Sequence, residues 1–500
     1  MPTGILPPVA IDRSSDAPLY RQVYDGYRDA IVLRRLRAGE RVPSTRDLAR
    51  ELGISRIPVL TAFEQLLAEG YFEARVGAGT FVARVLPDDF HASARKPAAE
   101  PATAPRGPRR VAHAADPFLR DPEPWLGGRG PFRLSQPAVE RFPVEAWSGL
   151  ISRHLRNPRA SLLHYGDPKG YGPFREAVAA YLRTARGVRC EADQVMVVSG
   201  SQQALAIAAR VLFEPGAPVW MEEPGYAGAR DALTMAGARL VPVPVDRAGL
   251  DVSAGMAQEP AARGAYVTPS HQYPLGVTMT AARRLQLLDW ARRAGAWIVE
   301  DDYDSEYRYE SLPIASLQGL DRDSRVIYVG TFSKVLFPSL RVGYLVVPPD
   351  LVSRFAAVRE AMDVCPPSLL QAVLADFISE GHFGRHLRRM RLLYADRRKA
   401  LVGAIAKELP ALQVIGDAAG MHLVAELPER ERDRDVAVRA AGQGLWTMPL
   451  SACYLGPAPR PGLVLGYGGV TEREIRDAVK RLKIVIEPGG AAPHPPAPRR

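Results

Sequence analysis

The chain has 500 residues, of which 47% are hydrophobic and 24% charged; that length exceeds one ordinary core and that composition excludes wholesale disorder. No stretch approaches the roughly 18–20 uninterrupted apolar residues of a membrane span, and the N-terminus MPTGILPPVAIDRSSD lacks the basic start and apolar run of a secretory signal. A net charge of +10 raises the expectation of a polyanionic partner, while Cys190, Cys365 and Cys453 lie too far apart for a disulfide framework or a metal knuckle, as expected in a reducing cytoplasm.

Residues 1–85 read as a small helical domain that ends in a hairpin. Leu19, Val23, Tyr27 and Ile31 recur every four residues and mark one apolar helix face. Ser44 is placed to cap a second helix, with Asp47 three residues on. Gly53 ends that helix, and Ser55 can cap a third with an inner face of Val59, Leu60, Phe63, Leu66 and Leu67. Two short strands, Tyr71–Arg75 and Thr80–Ala83, then flank the turn Val76–Gly79. Helix, turn, helix and hairpin describe a winged helix-turn-helix, whose third helix enters a DNA major groove by its N-terminal end. Ser55 and Arg56 lie at that end, and Arg46 lies at the start of the preceding helix. Gly77 and Gly79 let the wing backbone approach phosphate. Charge alone does not choose between this and a helical bundle for protein contacts, because residues 1–85 hold 12 basic and 10 acidic side chains.

The segments PLYRQVYDGYRDAI, RLRAGERVPSTRDLARELGISR and GYFEARVGAGTFV resemble the DNA-binding domain of the GntR superfamily. The resemblance spans residues 17–83 and implies double-stranded operator DNA as a partner. Pro58 departs from the family pattern, in a first turn where a missing amide is tolerated.

Residues 86–130 are rich in Ala, Pro and Arg and read as an extended linker. From 131 to 487, β-branched runs alternate with helical stretches, which predicts an α/β domain with a mostly parallel sheet. Residues 488–500 read as a disordered tail.

Four features of the second domain carry chemistry. The strand Val195–Val198 leads through Ser199-Gly200 into a helix beginning Ser201-Gln202, an N-terminus suited to phosphate. The strand from Trp297 ends in Glu300-Asp301-Asp302-Tyr303-Asp304, where carboxylates meet a ligand crevice or a divalent cation. A third strand runs into Thr331-Phe332-Ser333-Lys334, which suits a Schiff-base lysine whose amine burial would free. Arg341, seven residues on, can return to the same phosphate. His382 and His386 stand four apart, but without a third ligand they read as a solvated helix face and no metal is expected. The nearby arginines and Lys399 read as mostly surface.

An aldehyde-reactive lysine, a phosphate cradle and a carboxylate for a ring nitrogen describe pyridoxal 5′-phosphate. The phrases HYGDPKGYGPFREAVAAYL, TPSHQYPLGVTM, EDDYDSEYRY and GTFSKVLFPSLRVGYLVVP resemble the fold-type I aminotransferases, and more narrowly the MocR-type GntR regulators. The resemblance implies that Lys334 forms the internal aldimine, Asp301 pairs with the pyridine nitrogen, Tyr303 bonds O3′ and Tyr226 stacks on the ring. It implies that Ser201, Gln202, Thr331, Ser333 and Arg341 hold the phosphate. Asp302 is the alternative to Asp301, and His271 and Tyr273 are expected along the same side of the pocket. The family's carboxylate-gripping arginines have no clear counterpart: Arg230 and Arg460 are the candidates. A homodimeric regulator that senses an amine, or the cofactor itself, is therefore expected, with a working aminotransferase as the alternative.

Overall fold

The computed structural model describes residues 9–75, 77–85, 112–309, 315–416 and 418–487, in two compact units divided between Ala112 and His113. The core of the expected linker and the tail from 488 lie outside the described residues.

The first unit contains α1 (Leu19–Val32), α2 (Thr45–Glu51), α3 (Arg56–Ala68) and a hairpin of β1 (Phe72–Arg75) and β2 (Gly79–Val82). Tyr27, Phe63 and Phe72 meet edge to face with centroids 5.0–5.6 Å apart, which ties α1, α3 and the hairpin into one core. Ser44 caps α2 as expected, accepting from the Asp47 amide at 3.2 Å. Ser55 has cap backbone geometry but makes no capping bond. Of the two amides such a cap can serve, the third of α3 belongs to Pro58 and does not exist, and the second, of Ile57, is not engaged. Leu60 was expected inside, yet it is 39% exposed, because Val59, Ala62, Phe63 and Leu66 already form the inward face at spacings of three and four.

In the second unit an eight-stranded sheet has the order β3-β10-β9-β8-β7-β4-β5-β6. Its strands are β3 (Val195–Val198), β4 (Pro218–Glu223), β5 (Arg239–Asp246), β6 (Gly249–Leu250), β7 (Gly264–Val267), β8 (Trp297–Asp302), β9 (Val326–Thr331) and β10 (Gly343–Val346). The run β9-β8-β7-β4-β5 is parallel, and β10 is antiparallel to both β3 and β9. Burial on both faces explains why β3, β7, β9 and β10 are apolar almost throughout, whereas β5, near the sheet edge, alternates. Two antiparallel neighbours in succession return β3 to the direction of β9. The carboxyl ends of β3, β9, β8, β7 and β4 therefore open on one edge, where α/β folds bind ligands.

A smaller antiparallel sheet follows, β11 (Gln413–Ile415), β12 (His422–Glu426), β13 (Met448–Pro449) and β14 (Gly462–Gly466), in the order β11-β12-β14-β13. It shares a core with the helices His382–Glu408 and Glu472–Ile486, the latter opened by a Thr471/Glu474 capping box. His386 is not solvated as expected. It faces inward with Nε2 3.0 Å from the Val335 carbonyl, and burial lowers its pKa to about 4. Arg397 is likewise buried and paired with Glu140 at 3.0 Å.

The stretch 113–130, expected as linker, packs on the second unit. Trp125 is 4% exposed within its core, its carbonyl accepts from Arg133, and the Arg129 carbonyl accepts from Trp446 Nε1 at 2.9 Å. Its Pro- and Arg-rich composition hides that single aromatic anchor.

Candidate functional site

The acidic phrase ends β8, and strand alternation separates its members. Asp301 faces a cavity, where Oδ2 accepts from the Tyr266 hydroxyl at 2.8 Å and buried Oδ1 has no partner. Asp302 faces the other way; its Oδ2 accepts from Arg186 Nη2 at 2.7 Å and from the Tyr328 hydroxyl at 2.6 Å. Glu300 accepts the amides of Leu317 and Gln318 at 2.8 Å each. Three carboxylates thus have three different partner sets. His271, Asp304 and His422 do bring ligand atoms within 4.8 Å of one another. There His271 Nδ1 already lies 3.0 Å from Asp304 and 3.1 Å from the Tyr303 hydroxyl, and His422 Nε2 lies 3.1 Å from the Pro274 carbonyl.

Beside β8, β9 delivers Thr331, Ser333 and Lys334. Burial lowers the Lys334 pKa to about 8, against the pull of Asp304 and Asp301. Burial raises that of Asp301 to about 7, offset by the Tyr266 hydrogen bond. The Thr331 hydroxyl accepts the Ser333 amide at 3.2 Å, while buried Ser333 Oγ has no partner.

Beyond β3, the turn Ser199-Gly200 starts the helix Ser201–Leu212, and Arg341 closes over it, donating to the Ser199 carbonyl at 2.8 Å. Gly200 has φ +85°, and a Cβ there would come within 2.8 Å of Arg341 Nη2, so this approach needs glycine. Helix-start amides, the hydroxyls of Ser201, Thr331 and Ser333 and a guanidinium make a phosphate cradle.

The cavity, of about 280 Å³, is lined by all of Ser201, Gln202, Tyr226, Asp301, Tyr303, Thr331, Ser333, Lys334 and Arg341. Gln202 Nε2 donates to the Gly228 carbonyl at 2.8 Å. Tyr273 also lines the cavity, with its ring 5.5 Å from that of Tyr226, whereas His271 sits behind Tyr303. Asp302 is absent from the lining. So is Arg230, buried between the Gly225 carbonyl at 3.2 Å and Glu223 at 3.8 Å. Arg460 is exposed and 3.6 Å from Glu426. The lining also includes Asp304, from the acidic phrase, and Ser135, Tyr266, Thr268, Met421 and His422, which the sequence did not single out. Tyr266 had a signal, a lone hydroxyl in an apolar strand; His422 had none.

An orphaned carboxylate oxygen, an orphaned serine hydroxyl, a lysine of lowered pKa and a phosphate cradle fit pyridoxal 5′-phosphate at ring nitrogen, phosphate and aldehyde. In the first unit, Ser44, Arg46, Ser55 and Arg56 are exposed, and Arg56 Nε donates to Thr45 Oγ1 at 3.2 Å, joining the starts of α2 and α3. At the wing, Gly77 has φ +73° and Gly79 φ +108°; a Cβ on Gly79 would press on Arg41 at 3.3 Å.

Fold and cavity together define a pyridoxal phosphate-binding domain of aminotransferase type on a chain that also carries a helix-turn-helix. Comparison with known proteins agrees. The aminotransferase class I and II family matches residues 140–482, and the bacterial regulatory proteins of the gntR family match residues 19–82. The chain is 43% identical to the probable rhizopine catabolism regulatory protein MocR of Rhizobium meliloti, over 97% of this chain and 98% of that one. It is 29% identical to the pyridoxine biosynthesis transcriptional regulator PdxR of Corynebacterium glutamicum, over 96% and 99%. The α-aminoadipate aminotransferase of Thermus thermophilus, solved with N-(5′-phosphopyridoxyl)-L-leucine, superposes with a TM-score of 0.67 at 29% identity, covering 71% of this chain and 92% of that one. The chain belongs to the MocR-type regulators of the GntR family, and its cofactor is pyridoxal phosphate.

Proposed function

We propose that this transcriptional regulator senses either pyridoxal phosphate itself or an amine that lacks a carboxylate. One observation carries the reading. Among the described residues, Arg341 is the single guanidinium lining the cavity, and the phosphate takes it. Arg230 and Arg460 are held elsewhere by Glu223 and Glu426. A carboxylate buried here without a partner would be costly. The relative named for pyridoxine biosynthesis supports the cofactor as signal.

In this reading Asp301 holds the proton at the ring nitrogen, Tyr303 donates to the ring oxygen O3′, Tyr226 stacks on the ring, and Lys334 supplies the attaching amine. Ser201, Gln202, Thr331, Ser333 and Arg341 bind the phosphate. When bound, the cofactor supplies an aldehyde carbon that takes up amines. The chain acts as a homodimer, as its fold supports, so that two helix-turn-helix heads share one operator with avidity set by the linkers. A signal acts only by favouring one arrangement of that dimer over another.

The test is operator affinity of four samples: apo protein, cofactor-loaded protein, and loaded protein with γ-aminobutyrate or with a simple alkylamine. A shift on loading, or with the alkylamine, supports the reading. A shift with γ-aminobutyrate alone overturns it. Keto-acid release from the amines would move the reading to a working aminotransferase with an accessory DNA-binding domain.

A further inference from the structure

The N-terminal half of α3 carries two large apolar side chains that its own domain does not use. Ile57 is 74% exposed and Leu60 is 39% exposed, one helical turn apart and on one face. The domain core is complete without them, since Val59, Ala62, Phe63 and Leu66 make the inward contacts of α3. Pro58 lies between them and removes an amide, so this turn is poorer in donors than an ordinary helix start. The pair is bounded by cations on the surface assigned to DNA. Arg56 is tied to Thr45 at 3.2 Å, and Arg46, the next residue of α2, is exposed.

A helix in the major groove meets donors and acceptors on every base edge, but one apolar group, the 5-methyl of thymine. We propose that Ile57 and Leu60 read thymine methyl groups, making the operator choice of this chain depend on two methyls rather than on hydrogen bonds at those positions. The inference rests on the DNA-binding reading of the first unit and adds its specificity. Three residues of helix advance about 4.5 Å, a little more than one base step of about 3.4 Å. The two thymines therefore lie on neighbouring base pairs.

The experiment uses the full-length chain. Operators are selected from a random duplex library, and each thymine is then replaced singly by deoxyuridine, which removes the methyl and keeps the hydrogen-bonding edge. The wild type is expected to lose about fourfold in affinity at each of two neighbouring positions, the worth of one buried methyl. Ile57→Ala should lose as much on the thymine operator and become indifferent to uracil at one position, and Leu60→Ala at the other. Both sites are exposed and alanine favours helix, so both variants fold. An unchanged salt dependence shows that their phosphate contacts persist. Duplex binding that ignores uracil at every position overturns the proposal alone, as do alanine variants that keep full sensitivity to uracil. A change of oligomeric state with unchanged operator affinity in Ile57→Ala overturns it in favour of a protein contact. Failure of the wild type to bind any duplex overturns the DNA-binding reading as well.

Discussion

Asp301 and Asp302 are consecutive residues of β8 that serve opposite sides of the sheet. Asp301 leaves Oδ1 unpartnered at the cavity, while Asp302 Oδ2 is 2.7 Å from Arg186 in the core. Asp302 Oδ1 is unpartnered as well, so place is what separates the two: Asp301 borders the cavity, and Asp302 is ion-paired in the core through Oδ2. Their substitutions should therefore separate: Asp302→Ala strands a buried arginine and attacks the fold, whereas Asp301 variants act on the cofactor.

Asp301→Asn should weaken cofactor binding yet stabilise the apo protein near pH 8. The folded pKa of Asp301 is about 7, above its ordinary 3.8, because of burial. Folded protein then holds the proton that unfolded protein releases, so stability falls as pH rises from about 4 to about 7. The asparagine removes that loss. Apo melting temperatures of the two proteins should converge near pH 4 and separate above pH 7, with the variant higher. Parallel curves would show that Asp301 is ionised at no cost.

Lys334 should accept the cofactor in a pH range set by its depressed pKa. The reactive free amine is half populated near pH 8. Reconstitution of apo protein should speed up to about pH 8 and then level off, where an ordinary lysine would still be gaining at pH 10. Borohydride should fix the cofactor to Lys334 in the wild type and to nothing in Lys334→Ala. Peptide mapping that finds the label on another lysine refutes the assignment.

The two serine positions at helix starts should behave differently. Ser44→Ala removes a bond to the Asp47 amide and should cost about 1 kcal/mol of stability in the first unit. Ser55→Ala removes no capping bond and should cost clearly less than Ser44→Ala. Denaturant melts report this, provided the first unit's transition is resolved; equal losses would mean that Ser55 caps α3 in solution.

A fragment beginning at His113 should fold and bind cofactor, and one beginning at Pro131 should not do so as well. The difference is Trp125, buried in the second unit's core. Trp125→Ala in the full chain should cost about 3–5 kcal/mol, as for other buried aromatics. Equal melting of the two fragments would return 113–130 to the linker.

Arg46→Ala and Arg56→Ala should each weaken operator binding, by about 1–3 kcal/mol where the residue reads a base and across all sequences where it holds phosphate. Unaltered affinity in both would place the DNA on another surface of the domain.

Much of this protein was legible before its fold. The motif ending in Lys334, the acidic end of β8, the Ser44 cap and the strand–turn–helix at Gly200 are chemistries confined to a few consecutive residues, where spacing and residue type are enough. Tertiary structure alone decided that Asp301 rather than Asp302 meets the cavity, since alternation separates them but does not say which face is covered. It alone turned Leu60 outward and His386 inward, because those positions depend on what packs against each helix. Tyr266, Thr268 and His422 reach the cavity from β7 and from a sheet more than 80 residues beyond Lys334. Arg230 and Arg460 miss it because Glu223 and Glu426 hold them first. Local patterning encodes an element and its reactive end; the pairing order β9-β8-β7-β4 and the packing of distant side chains select which of those ends share one cavity.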